Sequence, residues 1–406
     1  MSVLQDLLTE FQAIASNPRA QLDAYLHQGK KAIGCMPYFC PEELVHAAGM
    51  IPFGLWGAET QISEARRYLP AFICSIIQTT LELAIRGSYK GLSAVMTPIL
   101  CDSLKSMDGN WRHAVKDTPI IPVAQAQNRK TEAGVEFTAS QYRIVKAKLE
   151  DISGQSISDE DVAASIRLYN KRNAAVRRFI DAAAERPGML KPSERSAVLK
   201  SSYFMDAAEY TGKVEMLCDC MQAISQDSGS HGTASLDDAS GQASAASAQD
   251  PDLSSSAMPG PAVVTCGIIA DNTGLLNILD DCGVVVVDDV VSHESLRFRF
   301  DTPETGDPIT ALAQTIGAIE GCPVLFDPGK KRFDMLVETV RRRNAAGVIV
   351  VLTKFCDPEE YDIVPLRKAL QKNGIQHLTV EIDQQTTDIE QIRTAVETFC
   401  EILANQ

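Results

Sequence analysis

Cys101 and Cys356 share one local design. In LSAVMTPILCDSLKSM and in AAGVIVVLTKFCDPEEYDIVPLRKAL, a cysteine follows a buried apolar strand and precedes a helix. In a parallel α/β sheet, the carboxyl ends of the strands form the crevice where ligands bind. A thiol there faces the crevice and the positive end of the next helix, a field that lowers its pKa and favours thiolate. Thiolate is the form that binds iron. Cys74, in YLPAFICSIIQTTLELAIRG, follows a Pro-containing loop at the start of a helix and fits the same logic. The competing reading is packing, since a free Cys after an apolar strand is often a small hydrophobe. The Asp102 and Asp357 that follow shift the balance, because a polar Cys-Asp step suits the edge of a cavity better than a core.

The other eight of the eleven cysteines divide differently. Cys35 and Cys40 flank Met36-Pro37-Tyr38-Phe39 near the first crevice and are secondary candidates. Cys218-Asp219-Cys220 lies on a helical pattern, which sends its two sulfurs to different faces, so it reads as structural. Cys266, Cys282, Cys322 and Cys400 lie in apolar patterns and read as core. Other site chemistries find little support. There are six His, no H-E-x-x-H and no zinc-spaced C-x-x-C pairs. The P-loop, G-x-G-x-x-G and G-x-S-x-G patterns are absent, which argues against a P-loop ATPase, an NAD dehydrogenase and a serine hydrolase.

The thiols must be held by elements that the hydropathy pattern outlines. After a leading helical segment, strands are expected over 92–100 and 119–124, with a helix opening at Pro41-Glu42-Glu43. Apolar residues Val145, Leu149 and Ile152 recur at helical spacing, and the long amphipathic run beginning near Asp159 continues the pattern. Strands are expected again over 263–269, 284–287, 347–352 and 377–383, alternating with helices. Strand–helix alternation implies parallel sheets. The expected architecture is α/β, with two Rossmann-like parallel-sheet lobes and a helical middle domain. Its bounds are an N-terminal α/β lobe over 1–137, a helical domain over 138–225, a low-complexity Ser/Ala/Gly/Asp linker over 226–261 and a C-terminal lobe over 262–406.

The chain has 406 residues, a net charge of −15 and 45% hydrophobic content. Acidic chains gain little from nucleic acid or anionic membranes, whose binding rests on Lys and Arg. The first 30 residues lack a signal-peptide pattern, and no apolar run approaches the roughly 20 residues of a membrane helix, so a cytoplasmic protein is expected. In a reducing compartment the cysteines are not expected to form structural disulfides.

Five segments in order resemble one family. GCMPYFCPEELVHAAGMIPFGLWGAE, YLPAFICSIIQTTLE, TPILCDSLKSM, VLKSSYFMDAAEYTGKVEML and LTKFCDPEEYDIVPLRKAL resemble the 2-hydroxyacyl-CoA dehydratases, relatives of benzoyl-CoA reductase subunits. The MPYFCPEELVHAAGM and LWGAE forms look most like the α-type subunit of the hydroxyisocaproyl-, lactyl- and phenyllactyl-CoA enzymes. The resemblance implies a [4Fe–4S] cluster on three cysteines, matched here by Cys74, Cys101 and Cys356. It also implies a homologous β-type partner subunit, an ATP-dependent iron–sulfur activator protein and a 2-hydroxyacyl-CoA substrate dehydrated through a ketyl radical. The β-proton of such a thioester is not acidified by the carbonyl, so one-electron reduction is what makes the 2-hydroxyl a feasible leaving group. Glu59 matches an acidic residue near the family's substrate, a candidate for handling the leaving hydroxyl. Lys330-Lys331-Arg332 and Arg341-Arg342-Arg343 are candidate contacts for CoA phosphates, beside the plainer reading of solvated helix faces. Alternatives are a benzoyl-CoA-reductase-type subunit and a non-catalytic electron-transfer subunit.

Overall fold

The computed structural model describes residues 3–37, 39–56, 58–229, 260–383 and 389–405. Its first sheet comprises β1 (Ala32–Cys35), β2 (Ile51–Gly54), β3 (Ala94–Pro98) and β4 (Ile120–Val123). The second comprises β5 (Ala262–Gly267), β6 (Val285–Val291), β7 (Gly347–Thr353) and β8 (Gln376–Ile382). Both sheets are wholly parallel, and both have the same strand order, second–first–third–fourth. Helices on both faces demand continuous apolar strands rather than alternating ones. The sequences comply: every residue of β1, β3 and β7 is buried.

Fourteen helices are described: α1 (Val3–Ser16), α2 (Pro18–His27), α3 (Glu42–Ala47), α4 (Ser75–Ile85), α5 (Asp102–Ala114), α6 (Glu132–Ser153), α7 (Asp159–Ala184), α8 (Pro192–Ser201), α9 (Ala207–Gly229), α10 (Thr273–Asp281), α11 (Pro308–Ala318), α12 (Lys331–Arg343), α13 (Asp357–Lys372) and α14 (Glu390–Ala404). Their ends follow local chemistry. A Ser158–Asp161 capping box opens α7. α6 ends at Gly154, whose φ of +78° lies in the left-handed region glycine tolerates best.

α6 to α9 share their buried clusters with residues of the lobes. Tyr142, Val145 and Leu149 of α6 pack with Ile33 and Met96 of the first lobe and Leu312 of α11. Val176 and Phe179 of α7 join Phe11, Phe53 and Tyr203. The segment 226–261 lies outside the described residues except for its ends: residues 226–229 finish α9, and 260–261 lead into β5. Among the described residues, no helix is long and apolar enough to cross a membrane.

The lobes meet through buried and partly buried polar contacts. Arg129, after β4, donates to the carbonyls of Ile316 and Ile319 at 3.1 and 2.6 Å and to that of Phe326. Trp56 Nε1 donates to Asp271 Oδ2 at 2.6 Å, and Lys200 Nζ donates to the same oxygen at 2.5 Å. These contacts bring the carboxyl ends of the two sheets to a common cleft.

Candidate active site

Cys74, Cys101 and Cys356 line one cavity of about 560 Å³ between the lobes. Each occupies a helix N-cap: Cys74 that of α4, Cys101 that of α5, Cys356 that of α13. Ser, Thr, Asp or Asn at such a position stabilises a helix by about 1 kcal/mol through a side-chain hydrogen bond. None of the three cysteines makes a side-chain cap hydrogen bond of full geometry, although each sulfur lies near first-turn N–H groups. Three unfavourable caps converging on one cavity are poorly explained by helix stability and well explained by a shared use of the sulfurs.

The electrostatics correct one expectation. Burial pushes the Cys74 thiol up to about 11, against N–H groups of Ile77 and Ile76 that pull it down. Burial likewise raises Cys101, opposed by N–H groups of Leu104 and Ser103, and raises Cys356 far above the ordinary thiol range. The helix-end field is present but loses to desolvation. The thiols also act on one another: Cys101 raises Cys74, and Cys74 and Cys101 both raise Cys356. Without a bound cation these groups are neutral at pH 7; a metal would deprotonate them outright.

Among the described residues, no three His, Cys, Asp or Glu side chains lie close enough to hold a single metal ion. The three thiols line a cavity of about 560 Å³, and cysteine thiolates are the donors that polynuclear iron–sulfur centres use. Asp102 and Asp357, the first residues of α5 and α13, also line it.

The remaining sequence candidates fall elsewhere. Glu59 is exposed; its Oε1 accepts from the Thr273 N–H at 3.2 Å at the start of α10, and it does not line the cysteine cavity. Cys35 is buried at the end of β1, and Cys40 is half-buried; neither lines that cavity. Cys40 borders a separate cavity of about 70 Å³ with Glu42, Arg172 and Arg297. Cys218 and Cys220 sit on α9, the first buried and the second half-buried. Lys330 and Arg332 pair with Asp362 and Glu359, and Lys331 with Glu320. Arg342 and Arg343 both pair with Asp288, whereas Arg341 donates to Asn373.

Several cavity residues escaped the sequence reading. Gln125 is buried, donates to the Phe39 carbonyl at 2.9 Å and to Tyr142 Oη at 3.1 Å, and leaves its Oε1 without a partner among the described residues. Gln127 and Tyr361 also line the cleft. The signal for Gln125 and Gln127 lay in their position just after β4, at the carboxyl edge of a parallel sheet.

Residues 37–403 match the family model described as 2-hydroxyglutaryl-CoA dehydratase, D-component. The chain is 41% identical over 404 residues to the (R)-phenyllactyl-CoA dehydratase beta subunit of Clostridium sporogenes, covering 99% of this chain and 100% of that one. It is 37% identical to the (R)-2-hydroxyglutaryl-CoA dehydratase, subunit beta, of Acidaminococcus fermentans, covering 98% and 99%. It is 34% identical to the lactoyl-CoA dehydratase subunit beta of Anaerotignum propionicum, covering 99% and 100%. All three of these relatives are named beta subunits, whereas the MPYFCPEELVHAAGM and LWGAE forms looked most like an α-type subunit. Motifs shared by homologous subunits identify the fold and family, not the place in the complex. With two sheets of one topology, a three-cysteine cleft between them and relatives matched end to end, the chain belongs to the 2-hydroxyglutaryl-CoA dehydratase D-component family.

Proposed function

We propose that this chain is the β-type subunit of an (R)-2-hydroxyacyl-CoA dehydratase and that Cys74, Cys101 and Cys356 hold a [4Fe–4S] cluster. The observation that carries the proposal is the convergence of three uncapped N-cap cysteines on one cavity, in a chain whose relatives are named as dehydratase subunits. Such a cluster supplies one-electron chemistry. The reaction proposed for the assembled enzyme is loss of water from the 2-hydroxyacyl-CoA to the (E)-2-enoyl-CoA through a ketyl radical. It requires an α-type partner subunit and an electron from an ATP-hydrolysing iron–sulfur activator protein.

The chain's own residues prepare the site. N–H groups of Ile76, Ile77, Ser103, Leu104 and Glu359 act on the sulfurs and favour their anionic form. Ile99 and Leu100 line the cavity and lower its local dielectric, which strengthens every charge interaction inside. Arg129 fastens the β4–α6 connection to the second lobe, fixing the lobe spacing on which the position of Cys356 relative to Cys101 depends.

A second reading is that this chain relays the electron while its partner binds the acyl-CoA. The location of Glu59 outside the cavity favours it, because a role for Glu59 with the leaving hydroxyl then rests on family resemblance alone. Electron paramagnetic resonance of the reduced, reconstituted subunit distinguishes the readings. A spectrum changed by 2-hydroxyacyl-CoA in the isolated chain places substrate here, and one changed only in the complex places it on the partner. Full turnover by a complex carrying Glu59→Gln removes that carboxylate from the reaction.

A further inference from the structure

A second cavity, of about 460 Å³, lies between α7 and the second lobe and has no lining residue in common with the cysteine cleft. Four guanidiniums line it: Arg177, Arg299, Arg342 and Arg343. Asp288 and Asp181 are the two carboxylates present. Asp288, on β6, has a side chain only 2% exposed and serves three of the arginines at once. Its Oδ2 accepts from Arg343 Nε at 2.8 Å and from Arg342 Nη2 at 3.0 Å, and its Oδ1 pairs with Arg299 Nη2 at 3.3 Å. Arg343 Nη2 also reaches Asp181, and Arg177 forks onto Asp301 at 2.8 and 2.9 Å.

Arg299 also donates to Ser295 Oγ and to the Asp289 carbonyl, yet these partners and Asp288 do not use every N–H of the three guanidiniums. The Nη1 groups of Arg299, Arg342 and Arg343 donate to nothing among the described residues, and four arginines face three aspartates once Asp301, the partner of Arg177, is counted with Asp181 and Asp288, an excess of one positive charge. This occurs in a chain of net charge −15, where a local positive excess stands out. Basic residues at a helix C-terminus often do no more than complement the helix dipole. Arg341 fits that description, lying on the same last turn and donating to Asn373. Arg342 and Arg343 turn instead toward Asp288.

The register separates this cavity from the cleft. Asp288 pairs with Val264, which pairs with Val348 at the amino end of β7, whereas Cys356 follows the carboxyl end. The strand between them spans about 17 Å at roughly 3.3 Å per residue. We propose that this cavity is a binding site for a phosphate-bearing anion of at least two charges, distinct from the cysteine cleft. Planar guanidiniums in fork geometry match phosphate oxygens. The site joins Arg177 of α7 to Arg299 and Arg342 of the second lobe, so an occupant ties the two together.

The test is isothermal titration of the intact, anaerobically purified chain with pyrophosphate and, separately, with ADP. Saturable binding at millimolar pyrophosphate or below is expected. Arg342→Gln, a change at a side chain 58% exposed, should weaken it roughly tenfold or more, while Arg341→Gln, the same charge change one residue away, should leave it intact. Equal affinity for the two ligands means that the phosphates alone are read, and tighter ADP binding means that a nucleoside is seated as well. Absence of saturable binding by either ligand, or equal weakening by Arg341→Gln and Arg342→Gln, overturns the proposal.

Discussion

Cys101 and Cys356 occupy corresponding places in two sheets of identical strand order. Each lies just beyond the third strand of its sheet and caps the helix that follows. The lobes therefore present the same feature to each other across the cleft, and the third thiol, Cys74, comes from the first lobe alone. A ligand gripped by all three must hold the lobes in register.

The mouth of the cleft should be covered by the partner subunit. Phe72 and Tyr361 are 73% and 83% exposed, one two residues from Cys74 and the other lining the cavity. Val364, on the same helix as Tyr361, is 55% exposed. Exposed aromatic anchors of this kind concentrate binding energy at interfaces. Phe72→Ser with Tyr361→Ser should weaken association with the proposed partner subunit at least tenfold, or about 1.4 kcal/mol, in co-purification or sedimentation, with metal content unchanged. Retained association places the interface elsewhere.

The lobe junction should be sensitive at Trp56. Its indole donates to Asp271, and Lys200 bonds the same carboxylate and lies over the ring. Trp56→Phe keeps the aromatic packing and removes the donor, which should cost about 1–3 kcal/mol in denaturant unfolding. A loss within error would mean that Lys200 alone satisfies Asp271.

Glu294 should give the apoprotein a pH-dependent stability. Burial, with the neighbouring Asp289 adding to it, raises this carboxyl from 4.5 to about 7, against the pull of Arg195. A folded-state value above the unfolded one means that the folded chain binds the proton more tightly. That contribution is complete below about 4.5 and is lost as pH rises through about 7. In thermal unfolding across this range, Glu294→Gln should flatten the decline in stability with rising pH. An unchanged slope would assign the dependence to other groups.

The sequence was most legible where apolar runs and punctuation agree. The runs at 347–352 and 263–269 became β7 and β5, and Ser158 with Asp161 closed the helix start expected near Asp159. Short elements were harder. β2 is four residues, Ile51–Gly54, following α3 after a short turn, and it carries no periodicity long enough to read. Helix α13 extends through Pro365, where a proline would ordinarily suggest a boundary, and so reaches back to Asp357, directly after Cys356. Strand-end logic pointed to Cys101 and Cys356 at one cleft, whereas Cys74 was marked by its place at a helix start and by the family resemblance. The rise in their pKa was not implied, because helix-end fields are local and visible in sequence whereas desolvation depends on how the whole fold buries each thiol. The arginine cavity was likewise hidden: Arg341, Arg342 and Arg343 look alike in sequence, and only the fold directs two of them to Asp288.

The central claim is tested most directly by iron and acid-labile sulfide per chain after strictly anaerobic purification. The wild type should carry about four irons and a similar amount of sulfide, as expected for a [4Fe–4S] centre. Cys74→Ser, Cys101→Ser and Cys356→Ser should each lose most of both, and Cys266→Ser, a change on buried β5 outside the cleft, should lose neither. A folded wild-type chain free of iron, under conditions that load another cluster protein, would contradict the account and return the three cysteines to packing.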